Sequence, residues 1–149
     1  MKMSLDQWLK FGWIKTHKTS KQEISALFEM IERDLKDSKE SNVSNDWRFG
    51  IAYNAALKLC TILLNASGYR ANSASAHHYT ISAMPLILGD DKKKDAAYLD
   101  QCRRLRNKVE YDSVGGASIE DVKEIIDFIE EFRFEVKKWL KNNYKNLLD

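Results

Sequence analysis

The densest chemistry in the 149-residue sequence lies in the run Gln101-Cys102-Arg103-Arg104-Leu105-Arg106-Asn107-Lys108-Val109-Glu110-Tyr111-Asp112. On a helix, Arg103, Arg106, Asn107 and Glu110 fall on one stripe at spacings of three and four, beside an apolar edge formed by Cys102 and Val109. Two guanidiniums with a neighbouring amide present fork-shaped donors to phosphate oxygens, which is what binding or cleaving an RNA backbone requires. The same residues also read as a solvated helix face with an Arg106–Glu110 ion pair.

A proton carrier is the second requirement, and the nearest imidazoles in sequence are His77 and His78. Adjacent helical residues point about 100° apart, so at most one of the two faces the basic stripe, and His78 is the expected one. The bland alternative packs one histidine at a helix start and exposes the other. No His-x-x-x-His pair or carboxylate-rich pair of helices occurs, so neither a metal nor another cofactor is expected. Cys60 and Cys102 fall in apolar helical patterns without a second ligand at metal spacing, and read as buried free thiols.

These groups must be positioned by helices. Ser4 with Gln7, Ser20 with Glu23 and Ser118 with Asp121 each form a capping box, in which two side chains satisfy backbone N–H groups reciprocally. A short first helix is expected to end near His17. Ile24, Leu27, Phe28, Ile31 and Leu35 mark a second helix, and the Ser-, Asn-, Lys- and Glu-rich stretch 37–45 a loop. Ile51, Ala55, Leu59, Ile62, Leu63 and Ala66 stripe a third helix that Gly68 stops in a left-handed turn. His77 to Ile81 begin a shorter helix that Pro85 kinks or ends. Tyr98, Cys102, Leu105 and Val109 mark a fifth helix through about Tyr111, broken by Gly115-Gly116. The last helix, from Ile119 past Leu140, is expected to be the longest. With no alternating strand pattern, the sequence predicts an all-α, up-and-down bundle of five to six helices forming one domain over residues 1–149.

Composition supports that reading and excludes others. Hydrophobic residues make up 44% and charged residues 31%, with one Pro and six Gly, which is a globular helical chain and not a disordered one. A formal charge of +2 is too mild to drive nucleic-acid binding in bulk, so such binding needs a local patch. The first residues carry no signal-peptide pattern and no run of about eighteen apolar residues occurs, so the expectation is a cytoplasmic protein without a membrane partner. Trp8, Trp13, Trp47 and Trp139 are expected as core anchors. Arg48 and Arg70, flanking the third helix, are expected to extend a basic surface.

Taken together, Tyr53-Asn54-Ala55-Ala56, Ala66-Ser67-Gly68-Tyr69-Arg70, the His77-His78 helix and Arg106-Asn107 with a Tyr111-Asp112 end resemble the HEPN superfamily of small prokaryotic helical bundles. The resemblance runs from about residue 20 onward, and the histidine helix suits one of the uncharacterised branches. It implies a homodimer, a metal-independent ribonuclease or a related toxin or phage-defence component, and a cognate antitoxin or minimal nucleotidyltransferase as partner. Active members carry Arg, often a polar residue, then His after a short interval. Arg106 and Asn107 match the start, but Tyr111 stands where histidine is expected and no histidine follows His78. A phenol with a pKa of about 10 is a poor base near neutral pH. The reading that follows is a non-catalytic, dimerising RNA-associated or partner-binding module, with RNA held by Arg103, Arg106 and Asn107. The alternatives are a ribonuclease using Arg106 with Tyr111 or His78, and a protein-interaction bundle without nucleic acid.

Overall fold

The computed structural model describes residues 3–73, 76–111 and 116–148, with 109–111 described by their backbone alone. Seven α-helices occur among these residues: α1 (Leu5–Lys10), α2 (Lys21–Ser38), α3 (Asn45–Ala66), α4 (Ala76–Ser82), α5 (Met84–Leu88), α6 (Lys93–Tyr111) and α7 (Ile119–Asn143). α4 and α5 follow one another across Ala83, and Pro85 lies in the first turn of α5, where a missing N–H is tolerated. The chain is thus an all-α bundle of six helical units, as the apolar periodicity predicts.

α3 is the central element, in contact with α2, α4, α5, α6 and α7. Its residues Phe49, Ala52, Tyr53, Ala55, Ala56, Leu59, Ile62 and Leu63 are all buried and make a broad apolar face covering more than half of the helix, while Asn54, Lys58 and Thr61 lie half-buried on the remaining face. The alanines remove bulk from its surface and allow neighbouring helices to approach closely. This helix has the length and apolar composition of a membrane span, yet 67% of that window is buried inside the fold. α7 contributes Val122, Ile125, Ile129, Phe132, Val136 and Leu140 to the same core at helical spacing.

The helix starts are built as the sequence predicts in two of three cases. Ser4 with Gln7 and Ser118 with Asp121 form complete capping boxes. At α2, Ser20 accepts from the Glu23 N–H, but the Glu23 carboxylate does not return to Ser20. Its Oε1 instead receives Thr19 Oγ1 at 2.6 Å and Asn65 Nδ2 at 3.1 Å, and lies 2.8 Å from His17 Nε2. Charge-assisted bonds to three groups outweigh one reciprocal cap.

The first helix corrects the expectation of a helix to His17. α1 stops at Lys10, Gly12 takes a left-handed φ of 77°, and β1 (Ile14–Thr16) follows, paired antiparallel with β2 (Tyr69–Ala71). Ile14 is buried against Trp8 and Leu64 while Lys15 and Thr16 both face water, so the three residues carry no strand alternation. Trp47 is a second correction: it is 70% exposed, whereas Trp8 is buried and Trp13 and Trp139 are half-buried. Arg48 Nε donates to the Ser38 carbonyl at 2.8 Å and closes the α2–α3 connection.

Candidate functional site

α6 packs against α3 and α4, and that contact assembles the polar groups. α3 supplies Tyr53, whose residue surface is fully buried and whose hydroxyl lies 3.3 Å from His77 Nδ1 on α4. α6 supplies Arg106, with its guanidinium carbon 5.8 Å from the centre of the Tyr53 ring, a cation–π distance. One turn earlier on α6, Arg103 donates from Nε to Asp100 Oδ1 at 2.9 Å. Arg104 reaches the other oxygen of Asp100 at 2.8 Å. His78 Nδ1 stands 3.5 Å from Asp100 Oδ1 on the outer side.

The electrostatics of this cluster follow from burial and from the two arginines. Burial pushes the Tyr53 phenol well above its ordinary range, against a smaller opposing pull from Arg103 and Arg106, so it remains protonated. The His77 imidazole is pushed down, first by burial and then by the positive charges of Arg106 and Arg103, so it is neutral at pH 7. Burial raises the Asp100 carboxyl, but the Arg103 hydrogen bond and charge, with His78 and Arg104, hold it below its ordinary value. A protonated phenol can donate to Nδ1 or accept from Nδ1–H, so Tyr53 orients either neutral tautomer.

The arrangement brings together Arg103 and Arg106, as their spacing implies, and adds His77 to them. His78 is exposed and turned toward Asp100, on the far side of the 100° step from its neighbour. Asn107 is half-buried on α6. The side chains of Val109, Glu110 and Tyr111, and residues Asp112 and Gly115, lie outside the described residues. Among the described residues, no group of three or more His, Cys, Asp or Glu is placed to hold a metal ion. Cys60 and Cys102 are buried free thiols, each pushed up to about 12 chiefly by burial.

Sequence reasoning passed over Tyr53 and Asp100 as site residues. Asp100 was available from spacing alone, standing three and four residues before Arg103 and Arg104. Tyr53 offered a subtler signal: a phenol among alanines on the apolar face of a helix must find a partner for its hydroxyl. No family model, curated protein or solved structure matches the chain.

Proposed function

We propose that the chain is a HEPN-like, dimerising module that binds RNA phosphates through Arg103 and Arg106, in a prokaryotic defence or toxin–antitoxin setting. The observation carrying this reading is the juxtaposition of both guanidiniums with a half-buried neutral imidazole and a buried phenol. A purely structural α3–α4–α6 contact is better served by apolar side chains, because desolvating such groups costs free energy. Two copies paired through α6 bring two Arg106 side chains toward one cleft by two-fold symmetry.

His77 favours a second reading, metal-independent RNA cleavage. Its Nε2 is the ring nitrogen suited to take the 2′-hydroxyl proton as that oxygen attacks phosphorus and the bond to the 5′ oxygen breaks. The products are a 2′,3′-cyclic phosphate and a 5′-hydroxyl, the proton returning from the imidazolium to the leaving oxygen. Arg106 and Arg103 stabilise the charge that accumulates on the phosphoryl oxygens. In this reading an imidazole from α4 replaces the one missing near Tyr111.

The test incubates the wild-type chain, Arg106→Ala and His77→Ala with labelled single-stranded RNA in EDTA, with sedimentation run in parallel. Binding that Arg106→Ala weakens, without cleavage, supports the module; cleavage lost in His77→Ala supports the enzyme. A monomer that neither binds nor cuts RNA overturns both and leaves a protein-interaction bundle.

A further inference from the structure

The phosphate-binding cluster continues into a strip of aromatic rings. His78 meets Tyr79 edge-on with ring centres 5.3 Å apart, Tyr79 stacks on Trp13 at 5.3 Å and an interplanar angle of 20°, and Trp13 contacts Phe11 at 5.0 Å. Through Asp100, which holds both His78 and Arg103, the strip is tied directly to the basic stripe of α6. Its outer end is Phe11, 56% exposed, in the turn between α1 and β1. Phe11 keeps its contact with Trp13 and leaves more than half of its surface to solvent.

The adjoining strand pair carries a second unexplained feature. In the β1–β2 register Lys15 stands directly opposite Arg70, both are exposed, and neither has an ion-pair partner among the described residues. Like charges directly opposed across an antiparallel pair are destabilising, so the fold tolerates this pair at a cost. β2 packs against α4, the helix that bears His77 and His78. Lys10, next to Phe11, and Lys18 add further exposed cations, while the α1 carboxylate of Asp6 is taken by the Tyr69 hydroxyl at 2.7 Å.

We propose that the preferred ligand is single-stranded RNA running from Arg103 and Arg106 across α4 onto the strand pair, with a base stacking at Phe11 and flanking phosphates at Lys15 and Arg70. This rests on the RNA reading above and extends its site to a second subsite. An exposed ring flanked by cations fits an unpaired strand, because its bases offer their faces for stacking, whereas a duplex keeps them inside the helix. Continuity with the guanidinium cluster favours RNA over an acidic peptide, which has no bases to stack.

The experiment measures binding of a fluorescent single-stranded RNA dodecanucleotide, the same sequence as a duplex, and a dinucleotide, in EDTA. The chains are wild type, Phe11→Ala, Lys15→Ala/Arg70→Ala and Arg106→Ala. The expected result is that Phe11→Ala weakens dodecanucleotide binding by about fivefold to a hundredfold, the range of one lost base stack. The double variant weakens it too, melts no earlier than wild type, and both leave the dinucleotide unaffected, while Arg106→Ala weakens both single strands. Equal binding of the dodecanucleotide by wild type and both strand-pair variants, with Arg106→Ala still impaired, overturns the second subsite and leaves the phosphate site standing. A preference for the duplex, or for an acidic peptide competitor over RNA, also overturns it. Wild type that binds no RNA overturns the functional reading itself.

Discussion

The Tyr53 hydroxyl, on a helix residue with no solvent exposure, lies 3.3 Å from Nδ1 of half-buried His77, 24 positions further along the chain. The contact joins the central helix to the site and fixes the imidazole ring from behind. Tyr53→Phe keeps the ring volume and removes only this bond. Stability is expected to fall by about 0.5–1.5 kcal/mol in urea denaturation, the net value of one hydrogen bond. In the same variant, NMR relaxation of the His77 ring should show greater ring mobility. Unchanged mobility would show that the hydroxyl does not orient the ring.

The pH dependence of stability carries a defined sign. His77 is held below the ordinary histidine value of 6.5 by burial and then by Arg106 and Arg103, so the unfolded chain binds its proton more readily than the folded one. Its contribution is complete above pH 6.5 and is lost as pH falls through that value toward the folded pKa. Wild type should therefore gain stability between about pH 5 and pH 7, and His77→Gln should show a flatter profile. Arg106→Ala should move the His77 titration, followed by NMR, back up toward its ordinary value. Asp100 and Glu23, both held low, act in the same direction but only in the acid range below 4.5.

Glu23 anchors the turn before α2 to the end of α3 by accepting from Thr19 and Asn65 and meeting His17. Asn65 is buried, and its Oδ1 has no hydrogen-bond partner among the described residues. Glu23→Ala leaves the Asn65 amide without an acceptor as well. The expected loss is about 1.5–3 kcal/mol, read from thermal or urea unfolding. Glu23→Gln, which retains one acceptor oxygen, should lose less.

Two substitutions within α3 should separate core from surface. Leu59 has no solvent exposure, and Leu59→Ala is expected to cost about 2–5 kcal/mol through lost burial and the cavity left behind. Trp47 is 70% exposed, and Trp47→Ala should change stability by less than about 0.5 kcal/mol despite removing the larger side chain. Equal losses in the two variants would contradict the placement of the α3 surface.

Most of the helices were legible in the sequence, the end of α1 excepted, because capping and apolar periodicity act within a few residues. Ser4 and Ser118 cap as their spacing requires, Gly68 turns the end of α3 with φ of 97°, and the α7 stripe is buried where its period places it. It also placed Arg103 and Arg106 one turn apart, since a 3.6-residue repeat alone fixes that relation. Tertiary structure decided which imidazole meets them: His77 and His78 are equivalent in sequence, and only the rotation of α4 against α3 and α6 puts His77 beside Tyr53 and His78 beside Asp100. It decided likewise that Ile14–Thr16 and Tyr69–Ala71 pair as strands, an association of segments more than fifty residues apart. Pairing at that separation has no local signature, because three-residue strands gain their stability from the partner and the buried Ile14, not from their own sequence.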